Sequence, residues 1–168
     1  VAMDNLIVTN ALPVIRQALH AGLEGLEWTV NAYTLTFAVL LLTGAALGDR
    51  YGRRRLMVIG IIVFTAGSAA SALAPGIGAL IAARAVQGVG AAIVTPLTVT
   101  LIASVTPPQR RGMALGLWGA TVGLSAALGP VIGGAVTDAA SWQWIFWINV
   151  PVGIAVLPLL LLTRESRS

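Results

Sequence analysis

Long uncharged runs alternate with short polar connections along this chain, and the runs are membrane-length. Trp28 to Leu47 carries no charge, and neither does Leu56 to Ala74. About 20 residues at ~1.5 Å rise cross ~30 Å of hydrocarbon as a helix. A soluble core helix keeps a polar face, and these runs have none. The pattern predicts six spans: Val1 to about Ile15, Trp28 to Leu47, Leu56 to Ala74, Ile77 to about Ser104, Gly112 to about Thr137, and Trp144 to Thr163. Arg84 and Pro96 interrupt the fourth. Pro75-Gly76 reads as a turn, and Thr106-Pro107-Pro108 as a stop. The first run is short for a span and has no Met before it. It reads as a span clipped at its start rather than a signal peptide, since no basic segment precedes it.

Composition agrees with a multi-span, all-α membrane protein. Apolar residues make up 57% and charged residues 10%, against about 25% charged in soluble domains. Mean hydropathy is +0.90. All ten basic residues are Arg. They gather at the ends of apolar runs, without the basic, aromatic-interleaved face of a nucleic-acid binder, so no nucleic acid is expected as a partner. With no Cys, disulfides and thiolate metal sites are excluded.

Charge also predicts orientation. If the loop after span two is cytoplasmic, that side holds Arg50, Arg53, Arg54, Arg55, Arg110, Arg111, Arg164 and Arg167, and the other side only Arg16. Both ends of the chain would then be cytoplasmic. Trp28, Trp142 and Trp144 would anchor the outer interface. Gly119 with Gly123, and Gly129 with Gly133, space small residues for close helix approach, and Pro130 removes a backbone donor between them.

Two ionisable side chains fall within spans. Arg84 lies about 10 Å along the fourth helix, where a charge costs on the order of 3 kcal/mol or more unless it faces a partner or a polar interior. Gln87 and Gly88 share its face. Asp4 precedes Asn5, Thr9 and Asn10. Were further helix to precede it, it would sit well inside the membrane, as a carboxyl that could bind and release a proton. Plainer readings are a snorkelling arginine and an interfacial carboxylate. Asn31, Tyr33 and Asn149 could line a cavity or bond between helices. His20 falls in an outer loop. No metal cluster, phosphate loop, dinucleotide fingerprint or nucleophile site appears, and Ser125 in GLSA lacks the second glycine of GxSG. An enzyme, a metal and an organic cofactor are therefore not expected.

Four motifs in order resemble the N-terminal six-helix half of a major facilitator superfamily transporter, nearest its multidrug proton-antiporter branch. They are Asp4 with Asn10-Ala11-Leu12-Pro13; Leu47-Gly48-Asp49-Arg50-Tyr51-Gly52-Arg53-Arg54; Arg84-Ala85-Val86-Gln87-Gly88-Val89-Gly90-Ala91; and Gly129-Pro130-Val131-Ile132-Gly133-Gly134. Ser141 to Phe146 and Ile148 to Pro151 also resemble drug exporters. The chain departs from the usual loop pattern at Ala45, with Gly44 one place earlier, and from the usual antiporter pattern at Ser125.

The resemblance implies two inverted three-helix repeats and a missing C-terminal helical half. It implies proton-coupled export of small, drug-like hydrophobic or cationic compounds, with protons as the coupling ion and the plasma (inner) membrane of a bacterium as the setting. By the same resemblance Asp4 and Arg84 would couple protons. Gly48, Asp49, Arg50, Gly52, Arg53 and Arg54 would latch the cytoplasmic gate. Gly129, Pro130, Gly133 and Gly134 would shape span five for antiport. Asn31, Tyr33, Gln87 and Asn149 would be offered to the cavity. A sugar or metabolite symporter of the same fold, and a non-transporting membrane subunit, stand as alternatives.

Overall fold

A computed structural model describes residues 3–162, and the architecture is all-α. Helices run over Asp4–Leu19 (α1), Leu23–Tyr51 (α2), Arg53–Ala72 (α3), Ile77–Val105 (α4), Arg111–Ala139 (α5), Trp144–Trp147 (α6) and Asn149–Leu161 (α7), with a 3-10 turn at Pro108–Arg110 before α5. Among the described residues, five segments are long and apolar enough to cross a membrane: α2, α3, α4, the turn with α5, and α6 with α7. The expected first span appears as α1, whose helix has 16 residues and is not one of the five. The expected ends at Val1 and Thr163, together with Arg164 and Arg167, lie outside the described residues.

The helices outrun the uncharged runs. α2 starts at Leu23, five residues before Trp28, and its first turn holds Glu24, where an acid complements the helix N-terminal dipole. At its other end it continues through Asp49 and Arg50, so the expected loop shrinks to Gly52. That residue has φ 102, a left-handed backbone open to glycine. Asp49 is therefore still inside α2, four residues short of the N-terminus of α3. α4 runs through Arg84 and Pro96 without interruption. The last span is divided at Ile148 between α6 and α7. Pro151 explains this: it offers no N–H to the Trp147 carbonyl four residues back.

Glycines set the packing of the central helices. A Cβ at Gly88 would strike Thr36 Oγ1 and the Tyr33 carbonyl of α2. One at Gly90 would strike the Phe64 backbone of α3, and one at Gly67 would lie 2.8 Å from the Gln87 backbone N. α4 is thus drawn between α2 and α3, and Thr36 Oγ1 donates across to the Ala85 carbonyl at 3.0 Å. A core of Ile7, Val8, Ala11, Ile15, Leu26, Leu80 and Phe146 fills the space beside them.

Two expected interfacial roles are corrected or divided. Trp142 is buried and meets Phe146 edge-on at 6.1 Å, so it belongs to the core rather than to an aromatic anchor. Trp28 and Trp144 are exposed, as anchors require. Of the two glycine pairs on α5, Gly129 and Gly133 pack on Leu6 and Ile7 of α1 and on Met3 just before it, whereas Gly119 and Gly123 meet nothing within 4 Å.

Candidate functional site

The site forms where α1, α2, α4 and α7 converge, because Arg84 must find partners in an otherwise apolar interior. Arg84 is fully buried and Asp4 is 4% exposed, so neither snorkels to an interface. Nη1 of Arg84 donates to Asp4 Oδ2 at 2.5 Å and to Gln87 Oε1 at 2.9 Å. Its Nη2 donates to Asn5 Oδ1 at 2.7 Å, and its Nε to the Thr29 carbonyl at 3.3 Å. The guanidinium carbon lies 4.3 Å from the Tyr33 ring centre and 5.9 Å from that of Phe146. A charge held this way has exchanged its water shell for fixed dipoles and ring faces.

The carboxylate is satisfied on both oxygens. Oδ1 of Asp4 accepts from Gln87 Nε2 at 3.0 Å and from Asn149 Nδ2 at 2.7 Å, while Oδ2 faces Arg84. Asn149 Nδ2 also donates to Ser68 Oγ at 3.1 Å, and Ser68 Oγ donates to the Phe146 carbonyl at 2.8 Å. Helical spacing explains part of the cluster: Arg84 and Gln87 are i and i+3, so they share a face of α4.

Two cavities flank the pair. One of about 250 Å³ opens onto Asp4 and Asn149 between α1, α5 and α7, with Trp118, Thr121 and Ser125 in its wall. The other, of about 390 Å³, is lined by Asn5, Tyr33, Phe37, Thr98, Trp118 and Val122 among others. Trp118 and Val122 line both. Such a chamber is mostly apolar, with a few hydroxyl and amide groups, as sites for small organic molecules are.

Of the residues selected from sequence, Asp4, Arg84, Gln87, Tyr33 and Asn149 come together here. Asn31 is exposed and lines neither cavity. The loop residues lie at the far end of α2. There Arg53 of α3 holds Asp49 of α2 at 2.8 Å across the Gly52 turn, and Arg54 Nη2 donates to the Leu161 carbonyl at 2.7 Å. A Cβ on Gly48 would strike Leu97 of α4. Pro130 and Gly134 lie on α5; Pro130 is exposed, and Gly134 has no neighbour within 4 Å of a Cβ.

Ser68, the Thr29 carbonyl and Trp118 were not selected from sequence. Ser68 sits in the middle of an uncharged run, which is the one signal it gave. Ser71 shows why that signal is weak: it returns its proton to the Gly67 carbonyl of its own helix, as helical serines commonly do.

Comparison with known proteins places these features in a family. The family model of the Major Facilitator Superfamily matches residues 1–168. An uncharacterized MFS-type transporter of Mycobacterium tuberculosis, Rv1250, is 44% identical over 92% of this chain and 27% of its own length. The tetracenomycin C resistance and export protein of Streptomyces glaucescens is 41% identical over 94% of this chain and 29% of its own. The chain thus spans under a third of the length of these relatives. Among solved structures, a bacterial homologue of the human lysosomal transporter Spinster, inward-facing and unoccupied, superposes with a TM-score of 0.84 at 21% identity, over 99% of this chain and 41% of that one.

Proposed function

The chain belongs to the Major Facilitator Superfamily, and from that premise we propose that its six spans form one half of a proton-coupled exporter of small hydrophobic or cationic compounds. The observation that carries this reading is the buried Asp4–Arg84 pair, set beside one cavity that reaches Asp4 and another able to hold an organic molecule. A buried ion pair is a poor stabilising device, because desolvation offsets much of its attraction. Its presence in a membrane interior is better explained by use.

In this mechanism a proton enters through water in the smaller cavity and binds Asp4. The neutral carboxyl no longer attracts Arg84, whose guanidinium keeps Gln87, Asn5, the Thr29 carbonyl and the Tyr33 ring. Asp4 belongs to the first three-helix repeat and Arg84 to the second. Loss of their attraction frees one repeat to shift against the other and the chain to rock against a second six-helix half. A compound entering the larger chamber would favour the state in which Asp4 gives its proton up. At the arginine-rich end, Gly48 and Gly52 keep α2, α3 and α4 close, while Asp49, Arg50, Arg53 and Arg54 form the gate latch. Gly129, Pro130, Gly133 and Gly134 shape α5 for antiport. That end faces the cytoplasm of a bacterium, and both chain ends lie there. The names of the relatives above supply the drug-like substrate class.

The complete gene product in liposomes tests this with tetraphenylphosphonium and with D-xylose as probes. Proton release on adding the lipophilic cation, lost in Asp4→Asn, is expected. Proton-driven xylose uptake with no cation-linked release would replace export by symport. Release that survives in Asp4→Asn would remove Asp4 from the exchange.

A further inference from the structure

Asn149 lines the smaller cavity, yet both N–H donors of its amide are engaged within the protein. We propose that Asn149 is a positioning residue for the Asp4 carboxylate, aimed by Ser68, and that its amide N–H groups are not donors to the transported compound. The inference rests on the reading of Asp4 as the proton-exchanging group.

The direction of each hydrogen bond carries it. Ser68 is fully buried and its single proton goes to the Phe146 carbonyl. Toward Asn149 the hydroxyl therefore presents only lone pairs, and it can accept but not donate. That fixes which end of the Asn149 amide faces inward: the NH2 group. One N–H goes to Ser68 Oγ at 3.1 Å and the other to Asp4 Oδ1 at 2.7 Å. Both donors of the amide are spent inside the protein, and none is left to hold a compound in the cavity. The anchor is backbone, since Phe146 lies in α6 just ahead of the division at Ile148, so the aim is set by the fold and not by a rotatable side chain.

The remaining surroundings of Asp4 are known. Arg84 from α4 and Tyr33 from α2 are the charged and titratable groups that face it. The Gln87 amide from α4 supplies the second donor to Oδ1. Among the described residues, α3, α5, α6 and α7 bring no titratable side chain to it. Its cavity walls there are Trp118, Thr121, Ser125, Ile145, Ile148 and Val152 among others. Asn149 is thus the donor that ties the carboxylate of the first repeat to the last span of the second. A hydrogen bond to the charged form of a carboxyl holds back proton uptake. Losing it should loosen the aim of the carboxylate and change the environment of Oδ1.

The test is an infrared difference spectrum of the complete gene product in lipid, following the carboxylate stretch that Asp4→Asn abolishes. Asn149→Leu is expected to shift that band, because Oδ1 loses one of its two donors. Ser68→Ala should shift it in the same direction by less, because the amide loses its aim but stays in place. If Asn149→Leu does not fold, Ser68→Ala decides alone. A band unmoved in the folded variants overturns the positioning role and leaves Asp4 as the exchanging group. Cation-linked proton release that survives in Asp4→Asn overturns the reading of Asp4 on which the role rests.

Discussion

α4 and α5 look alike as sequence and behave oppositely in the fold. Both are 29 residues long, both are rich in small residues, and each contains one proline. Yet α4 buries nine residues, among them Arg84, Gln87, Gly88 and Gly90, whereas α5 buries only Gly129 and Gly133. Glycine content does not predict this: α5 has more glycines than α4, and Gly112, Gly116, Gly119, Gly123 and Gly134 all have open space where a Cβ would stand. A small residue permits close approach but does not supply the partner. In α4 the partners are α2 and α3 of the same chain. For the stretch of α5 carrying Gly112, Gly116, Gly119 and Gly123 they are not within the described residues.

The largest test of this contrast sits in the filled helix. Arg84→Met should destabilise the protein by about 3–5 kcal/mol, because it strands Asp4 as a buried, uncompensated charge. The check is thermal melting in detergent, with Asp4→Asn added in a second variant. The double variant should recover much of the loss, since the stranded charge is then gone. If the single variant melts like the wild type, the pair is wetter than its burial implies, and α4 owes its position to packing alone.

Next comes packing itself. Gly88→Val should lower stability by about 1–3 kcal/mol or more, because the Cβ would meet Thr36 Oγ1 and the Tyr33 carbonyl. The second contact is backbone, which cannot rotate away. Limited proteolysis and melting would both report it. A tolerated valine would mean that α2 and α4 are farther apart than the Thr36 hydrogen bond to the Ala85 carbonyl indicates.

These two helices also show how far the sequence could be read. The length of the runs and their scarcity of charge were enough to place the spans, because only a helix that pairs its own backbone survives in hydrocarbon. Their ends were less legible. Leu23 to Glu27 and Asp49 to Tyr51 are polar enough to read as loop, yet they continue α2 until Gly52 turns the chain. At the site, Arg84 and Asp4 announced themselves by the cost of burying charge. Ser68 did not, since its role depends on α6 bringing the Phe146 carbonyl to it across 78 positions of sequence. Trp142 was misread for a similar reason: an aromatic beside a span end suits either an interface or a core, and only the placement of α6 against Ile15 and Leu26 decides.

The smallest effect, and the sharpest for the contrast, belongs to α5. Gly119→Ala with Gly123→Ala should change the melting of the 168-residue chain by no more than about 0.5 kcal/mol, because nothing stands near either position and surface changes rarely exceed that. A fall comparable to that of Gly88→Val would show that this face is packed within the six-helix unit and that the contrast is false. If a second half covers α5, as proposed above, the same two methyl groups meet it in the complete gene product, where transport or melting should suffer. The comparison between the two contexts therefore measures what the glycines of α5 are for, which neither their spacing nor their number can do.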